Sequence, residues 1–352
     1  MQLTFETIDL TTRRPFRIAR AGSYGGPDER VSTPPRRSVW VRVRDGEGLE
    51  GWGEAAPLPY YGETADTVAA VLPRLAEVLE EAAGDDPFVL ERIDAAVSAA
   101  IGANPAARAA VSAALHDLVG KRLGVPVWRL WGLSPEAPLS SYTLALDEPE
   151  AMRERLLEAA WYPILKVKVG TARDAEVLDL IREVRPDAAV RVDANTAWSA
   201  KEALVRLPLL EEYGVELLEQ PLPAGDLEGL RLVRERTHIP VVADESCRTA
   251  ADIPRLAGVV DAVNRKLAKC GWPREAVRMV HVARAHGLRV MLGCMVETTL
   301  GIAAALQLAP LVDYTDLDGA ALLANDPFTG PGLEPDGRLR FNEAPGLGVE
   351  LA

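Results

Sequence analysis

The stretch Ile164–Asp244 decides the fold, because it contains three short apolar runs that each end in an acidic side chain. The runs and the residues after them are Ala189-Val190-Arg191-Val192-Asp193-Ala194-Asn195, Val215-Glu216-Leu217-Leu218-Glu219-Gln220-Pro221 and Pro240-Val241-Val242-Ala243-Asp244-Glu245-Ser246. Asp193 and Glu219 are 26 positions apart, and Glu219 and Asp244 are 25 apart. Each interval fits one strand, one helix and two loops of a parallel α/β fold. Successive barrel strands would place the three carboxylates at one end, where a hard divalent cation could bind them.

The alternation of short strand and helix extends on both sides of this stretch. Helical segments, for example 200–213 and 273–286, separate the predicted strands over roughly 180 residues, which favours a (β/α)-barrel with short loops. A doubly wound sheet is the competing fold, but it would not gather residues from every strand end around one centre. The eight predicted strands are Ser141–Leu146, Ile164–Val169, Ala189–Asp193, Val215–Glu219, Pro240–Asp244, Ala262–Leu267, Arg289–Cys294 and Tyr314–Asp318.

The residues before the barrel predict a smaller α+β domain. Residues 38–44 alternate as in a strand, 45–48 supply a hairpin turn, and Gly51-Trp52-Gly53-Glu54 resumes a second strand. Residues 105–123 have apolar residues at helical spacing and stop at Gly124. His116 lies in this helix and is interpreted as a structural residue rather than a ligand.

Two further segments have loop chemistry. The Gly/Pro/charge-rich segment between Arg20 and Arg37 is long for a hairpin connection, and a disordered tip and an active-site lid are equally consistent with it. The tail from Ala320 is again rich in Gly and Pro, and we expect it to pack against the N-terminal domain. The predicted fold is therefore a modified TIM (β/α)-barrel with an N-terminal α+β capping domain completed by the C-terminal tail, with boundaries at 1–125, 126–319 and 320–352.

The composition is that of a globular protein and excludes several function classes. The chain has 352 residues, and its net charge of −13 argues against a nucleic-acid or anionic-membrane partner. No apolar run is long enough to span a bilayer, and the first residues do not resemble a signal peptide. Three cysteines cannot form a disulfide framework, so a reduced, cytoplasmic protein is expected.

Lysines on two predicted strands are candidate acid/base groups. Strand two carries Lys166 and Lys168, and the alternation of a strand puts both ammonium groups on one face. A simple ion pair with an acid would explain one buried lysine. Two buried lysines close to three acids favour a functional site instead. A second ammonium group would lower the pKa of the first, as a base near neutral pH requires. Strand six, across the barrel, carries Lys266 and Lys269.

These residues together predict proton transfer beside a metal ion. A cation on the three acids could draw electron density from a substrate carboxylate and stabilise an enediolate. One lysine would remove an α-proton and the other would return one to the opposite face. Asp316 and Asp318, two apart on strand eight, are either solvated loop acids or partners for a substrate ammonium group. Without a histidine at any strand end, the cysteines are interpreted as packing residues rather than zinc ligands.

The ordered motifs resemble the enolase superfamily, and within it the muconate-lactonizing subgroup, over essentially the whole chain. The resemblance implies a lysine base and Mg²⁺. It rests on Gly51-Trp52-Gly53-Glu54-Ala55, Ala114-Leu115-His116-Asp117, Gly120-Lys121-Arg122-Leu123-Gly124-Val125-Pro126, Lys166-x-Lys168, Asp193-Ala194-Asn195, Glu219-Gln220-Pro221, Asp244-Glu245-Ser246 and Lys266.

The strand-seven run Gly293-Cys294-Met295-Val296-Glu297-Thr298 and the Asp316-x-Asp318 pair resemble the dipeptide epimerases, including the L-Ala-D/L-Glu type. The resemblance implies Mg²⁺-dependent epimerisation of a dipeptide at its C-terminal residue. The implied roles are Lys168 and Lys266 as the acid/base pair, Lys166, Glu297, Thr298, Asp316 and Asp318 in substrate binding, Asp193, Glu219 and Asp244 as metal ligands, and Asn195, Glu245 and Lys269 as supporting residues.

Two departures from the family pattern concern specificity. Ser23–Pro35 looks longer than the family's substrate-selecting loop, which makes the register of Arg17 and Arg20 uncertain, and with it a preference for a C-terminal Glu. Trp272 stands where a second glycine after Gly271 is usual.

Two other functions remain open from the sequence. An o-succinylbenzoate synthase or muconate cycloisomerase could use the same scaffold, but its substrate has no ammonium group for Asp316 and Asp318. A non-catalytic metal- or ligand-binding relative is the second alternative. The sequence leaves open the accepted side chains and whether copies of the chain associate as a homo-oligomer, as family members often do.

Overall fold

The structure is a computed structural model that describes residues 1–19 and 36–352. Arg20 and the Ser23–Pro35 segment, for which a lid or a disordered tip was predicted, lie outside the described residues. None of the described helices is both long and apolar enough to cross a membrane.

The N-terminal part forms an antiparallel sheet covered by helices. Strand β2 pairs with β1 on one side and with β3 on the other, and the predicted turn at residues 45–48 joins β2 to β3. The predicted helix at 105–123 has the predicted bounds. The elements are β1 (Gln2–Leu10), β2 (Arg36–Arg44), β3 (Glu50–Ala55), a 3₁₀ helix (Pro59–Tyr61), α1 (Ala65–Ala83), α2 (Leu90–Ala100), α3 (Pro105–Leu123) and α4 (Val127–Leu130).

Close approach between β3 and α3 explains two glycines of the sheet. A Cβ atom at Gly51 would lie 2.0 Å from the carbonyl oxygen of Ala114, and one at Gly53 would lie 2.1 Å from that of Ala110. Any larger residue would therefore push the strand off the helix. The alanines of α3 serve the same contact, and the helix is buried over most of its surface.

Eight parallel strands in the described part of the chain form the predicted barrel, with each strand hydrogen-bonded to the next. A bridge between Ser140 and Thr315 brings the first and last strands together. The strands are β4 (Tyr142–Leu144), β5 (Ile164–Lys168), β6 (Ala189–Asp193), β7 (Val215–Glu219), β8 (Val241–Ala243), β9 (Ala262–Arg265), β10 (Arg289–Gly293) and β11 (Tyr314–Asp316).

Two strand ends differ from the prediction in a way that matters for the site. Strand β9 stops at Arg265, because Lys266 caps the start of a short helix, α10 (Leu267–Cys270), instead of continuing the ladder. Strand β11 stops at Asp316, so Asp318 follows the strand rather than sharing it.

Helices surround the barrel strands and follow them in sequence. The helical segments predicted at 200–213 and 273–286 are present, each one residue shorter at its end. The elements are α5 (Pro149–Glu158), α6 (Asp174–Val184), α7 (Ala200–Glu212), α8 (Leu227–Arg234), a 3₁₀ helix (Ala250–Asp252), α9 (Ile253–Leu256), α10 (Leu267–Cys270), α11 (Pro273–Ala285), α12 (Thr299–Leu306) and a 3₁₀ helix (Ala309–Leu311).

The tail returns to the N-terminal part, as expected. The backbone N–H of Ala324 donates to Thr11, and that of Leu347 donates to the carboxylate of Asp117 on α3. The tail strands form two antiparallel pairs. They are β12 (Phe328–Thr329), β13 (Gly332–Leu333), β14 (Leu339–Arg340) and β15 (Glu350–Leu351). The exact domain boundaries stay a prediction.

The barrel interior contains an apolar layer, and charged side chains gather at the carboxyl ends of the strands. Leu217, Val242, Ala262 and Met291 form a buried cluster inside the barrel. Two positions further along β7, the interior residue is Glu219. Because barrel enzymes carry their sites at the carboxyl ends of the strands, the charged end is the candidate active site.

Candidate active site

Three carboxylates converge at the carboxyl ends of β6, β7 and β8. Asp193, Glu219 and Asp244 each offer an oxygen, and these oxygens lie within 4.8 Å of one another. All three side chains are buried. Within the described residues, this is the one group of three or more His, Cys, Asp and Glu side chains placed to hold a metal ion.

The two lysines of β5 reach this cluster together. The Nζ atom of Lys168 lies 2.7 Å from Oδ2 of Asp193. That of Lys166 lies 2.7 Å from Oε2 of Glu219, 2.7 Å from Oδ2 of Asp316 and 3.1 Å from Oδ2 of Asp193. Lys166 therefore links the three-carboxylate cluster to the last barrel strand.

The pKa of Lys166 is shifted in the direction opposite to the sequence-based prediction. Burial lowers the pKa of Lys166, but the carboxylates of Asp316, Glu219 and Asp193 together raise it well above the ordinary value. The predicted lowering by a second ammonium group is outweighed, because more carboxylates than lysines surround this position.

Lys266 and Lys269 approach the cluster from the other side, at β9 and α10. Nζ of Lys266 lies 2.9 Å from Oδ2 of Asp244. Nζ of Lys269 contacts Oδ1 of Asp244 and donates to the backbone carbonyls of Asp244, Cys247 and Asn264 at 2.7, 3.0 and 2.8 Å. An ammonium group has three protons to donate, so the hydrogen-bonding capacity of Lys269 is fully used. It therefore suits a structural function better than proton transfer.

The two aspartates at the end of β11 have different surroundings. Oδ2 of Asp316 accepts from Lys166 and Oδ1 accepts from Ser141 at 2.7 Å. Asp318 accepts the backbone N–H of Thr143 at 2.6 Å, and its other oxygen lies 4.0 Å from the thiol of Cys294. Burial and the neighbouring Asp316 raise the pKa of Asp318 to about 7. A cation bound beside Asp318 would lower this pKa again, because it would stabilise the charged carboxylate.

Glu297 and Thr298 lie at the start of α12 and are held by a residue of the N-terminal sheet. The carboxylate of Glu54 on β3 accepts the N–H and the hydroxyl of Thr298, and the N–H of Gly301 at 3.3 Å. Oε1 of Glu297 accepts the N–H of Met295 at 2.7 Å. Burial, and next the charge of Glu54, raise the pKa of Glu297 to about 8.

The supporting residues predicted from the sequence are buried beside the carboxylate cluster. The backbone N–H of Asn195 donates to Oδ1 of Asp193 at 2.9 Å, in the left-handed conformation with φ of 45°. Glu245 follows Asp244 and is 4% exposed. Arg17, considered for specificity, lies 3.5 Å from Asp147.

Sequence reasoning missed two residues that orient the carboxylates. Asn264 donates to Oε1 of Glu219 at 2.7 Å, and it lies two positions before Lys266 on the interior face, a spacing that could have identified it. Gln220 accepts the backbone N–H groups of Asp244 and Ser246. Gln220 belongs to the Glu219-Gln220-Pro221 motif, but its contact with the neighbouring strand end depends on the tertiary structure.

The cysteines pack in the protein, and one of them also borders the site. Cys247 and Cys270 are buried and free. Cys294 is partly buried, packs against the main hydrophobic core and also lies against Asp318.

The donor set of the carboxylate cluster suits a hard divalent cation. Mg²⁺ prefers oxygen ligands, and three buried carboxylates supply them without a competing sulfur or imidazole donor among the described residues at this point. Burial raises the pKa of Asp193 and Asp244, but the adjacent lysines lower it more, so both carboxyls are ionised. The lysine ammonium groups supply the positive charge that these acids require.

Comparison with known proteins extends this description. Residues 149–352 match the family described as enolase C-terminal domain-like, and residues 7–132 match the N-terminal domain of the mandelate racemase/muconate lactonizing enzyme family. The chain belongs to the enolase superfamily. The family prediction is thus confirmed, and so is the predicted barrel with its N-terminal cap.

Several relatives that match nearly the whole chain are epimerases, which confirms the predicted enzyme class, an isomerase. The L-Ala-D/L-Glu epimerase of Bacteroides thetaiotaomicron is 40% identical over 99% of this chain and 88% of that protein. A dipeptide epimerase of Enterococcus faecalis V583, solved with Mg and L-Leu-L-Tyr, has a TM-score of 0.88 and 32% identity over 99% of this chain and 98% of that one. The dipeptide epimerase of Methylococcus capsulatus, solved with Mg and L-Arg-D-Lys, has a TM-score of 0.88 and 35% identity over the same shares.

Proposed function

We propose that this protein is a Mg²⁺-dependent dipeptide epimerase that inverts the α-carbon of the C-terminal residue. One observation carries the proposal: two lysines lie on opposite sides of the carboxylate cluster. One is on the barrel strand before the three acidic strands, and the other follows the strand after them. Lys168 on β5 pairs with Asp193, and Lys266 after β9 pairs with Asp244, with Glu219 between them. Two lysines separated in this way suit a 1,1-proton transfer, in which one removes the α-proton and the other protonates the opposite face.

In this proposal Asp193, Glu219 and Asp244 hold the metal ion. Bound there, Mg²⁺ would draw electron density from the substrate carboxylate and stabilise the enediolate. Lys166 would contact the same carboxylate, because its ammonium group already lies among the acids. Lys168 and Lys266 would each hold or accept a proton at Nζ.

The remaining site residues would bind the rest of a dipeptide. Asp316 and Asp318 lie side by side at the end of β11 and would hold the α-ammonium group by charge-assisted hydrogen bonds. Glu297 and Thr298 would line the site from the start of α12. Asn195, Glu245 and Lys269 would orient the cluster. This assignment explains why two acids are buried next to each other at a place where repulsion alone would be unfavourable.

The relatives support a dipeptide as the substrate class but differ in side chains. Their substrates or ligands include Ala-Glu, Leu-Tyr and Arg-Lys combinations. We make no assignment of side chains for this protein. We also propose that the chain divides into a cap at 1–125, a barrel at 126–319 and a returning tail at 320–352.

The proposal is tested by incubating the protein with Mg²⁺ and pooled L,L-dipeptides in heavy water. Mass spectrometry would detect deuterium at the α-carbon, and chiral chromatography would detect the new epimer. We expect both with the wild type and with Lys201→Ala, an exposed lysine on α7. Neither is expected after chelation of the metal. An absence of exchange across a broad pool would contradict the proposal and favour a lyase on this scaffold.

A further inference from the structure

A second cleft lies away from the carboxylate cluster, between the cap and the outer surface of the barrel. Its volume is about 280 Å³. Helices α2 and α3 form one wall, and α10, α11 and the loop before the 3₁₀ helix at 250–252 form the other. The residues that matter here are Asp94, Arg108, Cys270, Trp272, Glu275 and Arg278.

Most charged groups of this cleft are already paired. Arg274 contacts the carboxylate of Glu91, and Arg278 contacts that of Glu275. Asp94, whose side chain is only 15% exposed, forms a long ion pair of 3.7 Å with Nε of Arg274 but no hydrogen bond to it. Burial raises the pKa of Asp94 to about 7, which shows that its partners do not compensate for desolvation.

Arg108 is the complementary group. Its guanidinium group forms neither a hydrogen bond nor an ion pair with any residue in 1–19 or 36–352, and its Nε is buried without a partner. Burial lowers the pKa of Arg108, although Glu63 and other acids oppose the shift. The cleft thus contains an acid and a base that do not pair with each other.

We propose that this cleft binds a free α-amino acid, with its ammonium group against Asp94 and its carboxylate against Arg108. A ligand of one charge would satisfy one of these residues and leave the other without a hydrogen-bonded partner of opposite charge, at a desolvation cost. A zwitterion satisfies both. Pockets for larger ligands usually measure about 300–1,000 Å³, so a cleft slightly below this range suits a single amino acid.

The position of the cleft couples it to the candidate active site. A Cβ atom at Gly271 would lie 3.3 Å from Nε of Arg108, so the guanidinium group lies against the end of α10. That helix begins directly after Lys266 and contains Lys269. A ligand bound to Arg108 would fix the guanidinium group beside Gly271, at the end of α10. Bound amino acid would therefore alter proton transfer at Lys266, a consequence that rests on the proposed function, whereas binding itself does not.

Isothermal titration calorimetry with each of the common L-amino acids, added singly to the full chain, tests the binding. We expect at least one to bind with a Kd of about 1 mM or lower, and Asp94→Asn and Arg108→Gln each to weaken it at least about tenfold. The matched control is Arg92→Gln, an exposed arginine on α2 that does not line the cleft. Ser98→Trp, at the exposed edge of the cleft, should block binding without touching either charge.

Two results would overturn the site: no amino acid binds at about 10 mM, or binding persists in Asp94→Asn and Ser98→Trp, which would place the ligand elsewhere. Thermal unfolding of each variant shows that it is folded. Coupling is tested by deuterium exchange of a dipeptide with and without the bound amino acid. A change of about fivefold in kcat is expected, and it should vanish in Asp94→Asn. An unchanged kcat would overturn the coupling. If no dipeptide exchanges at all, the proposed function fails while calorimetry still decides the cleft.

Discussion

The Nζ atom of Lys168 lies 2.7 Å from Oδ2 of Asp193, and Lys266 stands in the same relation to Asp244 at 2.9 Å. Each lysine is thus held by a different member of the carboxylate cluster. A metal ion on that cluster would compete with the lysines for the same oxygens, and it would reduce the attraction that now favours their charged forms.

Replacing one lysine should separate proton exchange from epimerisation. In Lys168→Ala, we expect loss of epimerisation by at least about a thousandfold, because one of the two acid/base groups is missing. The variant should still exchange the α-proton of the one epimer whose proton faces Lys266. Lys266→Ala should show the opposite preference. Exchange in heavy water with each pure epimer measures this, and equal loss of exchange with both epimers in both variants would contradict a two-lysine transfer.

Removing Lys269, whose hydrogen bonds are all made within the protein, should weaken metal binding rather than proton transfer. Lys269→Met leaves Asp244 without the ammonium group that orients it, so we expect Mg²⁺ affinity to fall about 10–100-fold. Titration with Mn²⁺, followed by electron paramagnetic resonance, measures the affinity directly. Lys201→Met is the matched control. If saturating metal does not restore most of the lost turnover, Lys269 has a function beyond positioning.

The aspartate pair separates the dipeptide proposal from a lyase on the same scaffold. Asp318→Asn should lower kcat/KM for a dipeptide about 10–100-fold, because a charge-assisted contact to the ammonium group is worth roughly 1.5–3 kcal/mol. In the same variant, kcat/KM for an N-acetylated dipeptide should be close to that for the free dipeptide. Asp336→Asn, an exposed acid in the tail, serves as the control. Full activity in Asp318→Asn would remove the reason for assigning this pair to an ammonium group.

The contact between Glu54 and the start of α12 should stabilise the junction of cap and barrel. Glu54→Gln replaces an acceptor of several hydrogen bonds by an amide that also carries donors, and one buried donor then lacks a partner. We expect the free energy of unfolding to fall by about 1–3 kcal/mol. Chemical denaturation measures it, with Glu77→Gln, exposed on α1, as the control. A loss no greater than that of the control would contradict a stabilising contact.

His116 should make stability depend on pH. Burial lowers the pKa of His116 to about 4 from an ordinary value of 6.5. Between these values the unfolded chain binds a proton that the folded chain does not, so the free energy of unfolding should fall as the pH falls from 6.5 to 4, by about 3 kcal/mol from this residue. Denaturation curves of His116→Gln should be flatter over this range than those of wild type. His281→Gln, at an exposed position, should leave the slope unchanged.

Local patterns predicted much of this structure correctly. The spacing of Asp193, Glu219 and Asp244 located three parallel strand ends, because one strand, one helix and two loops occupy a nearly constant length. The alternation at Lys166 and Lys168 predicted one shared face, and both ammonium groups do reach the acids. The helix at 105–123 followed from its apolar spacing and its terminal glycine.

Contacts between distant segments were decided only by the tertiary structure. Glu54 reaches Thr298 across 244 positions, and Asn264 donates to Glu219 across 45 positions, so no local pattern predicts either contact. Asp94 and Arg108 belong to two different helices, α2 and α3, and only the packing of the cap on the barrel places their charges in one cleft. The direction of the pKa shift of Lys166 also could not be predicted from the sequence, because it depends on how many carboxylates surround the ammonium group in space. Sequence periodicity reports which face a residue occupies, whereas the neighbours of that face depend on the packing of the whole chain.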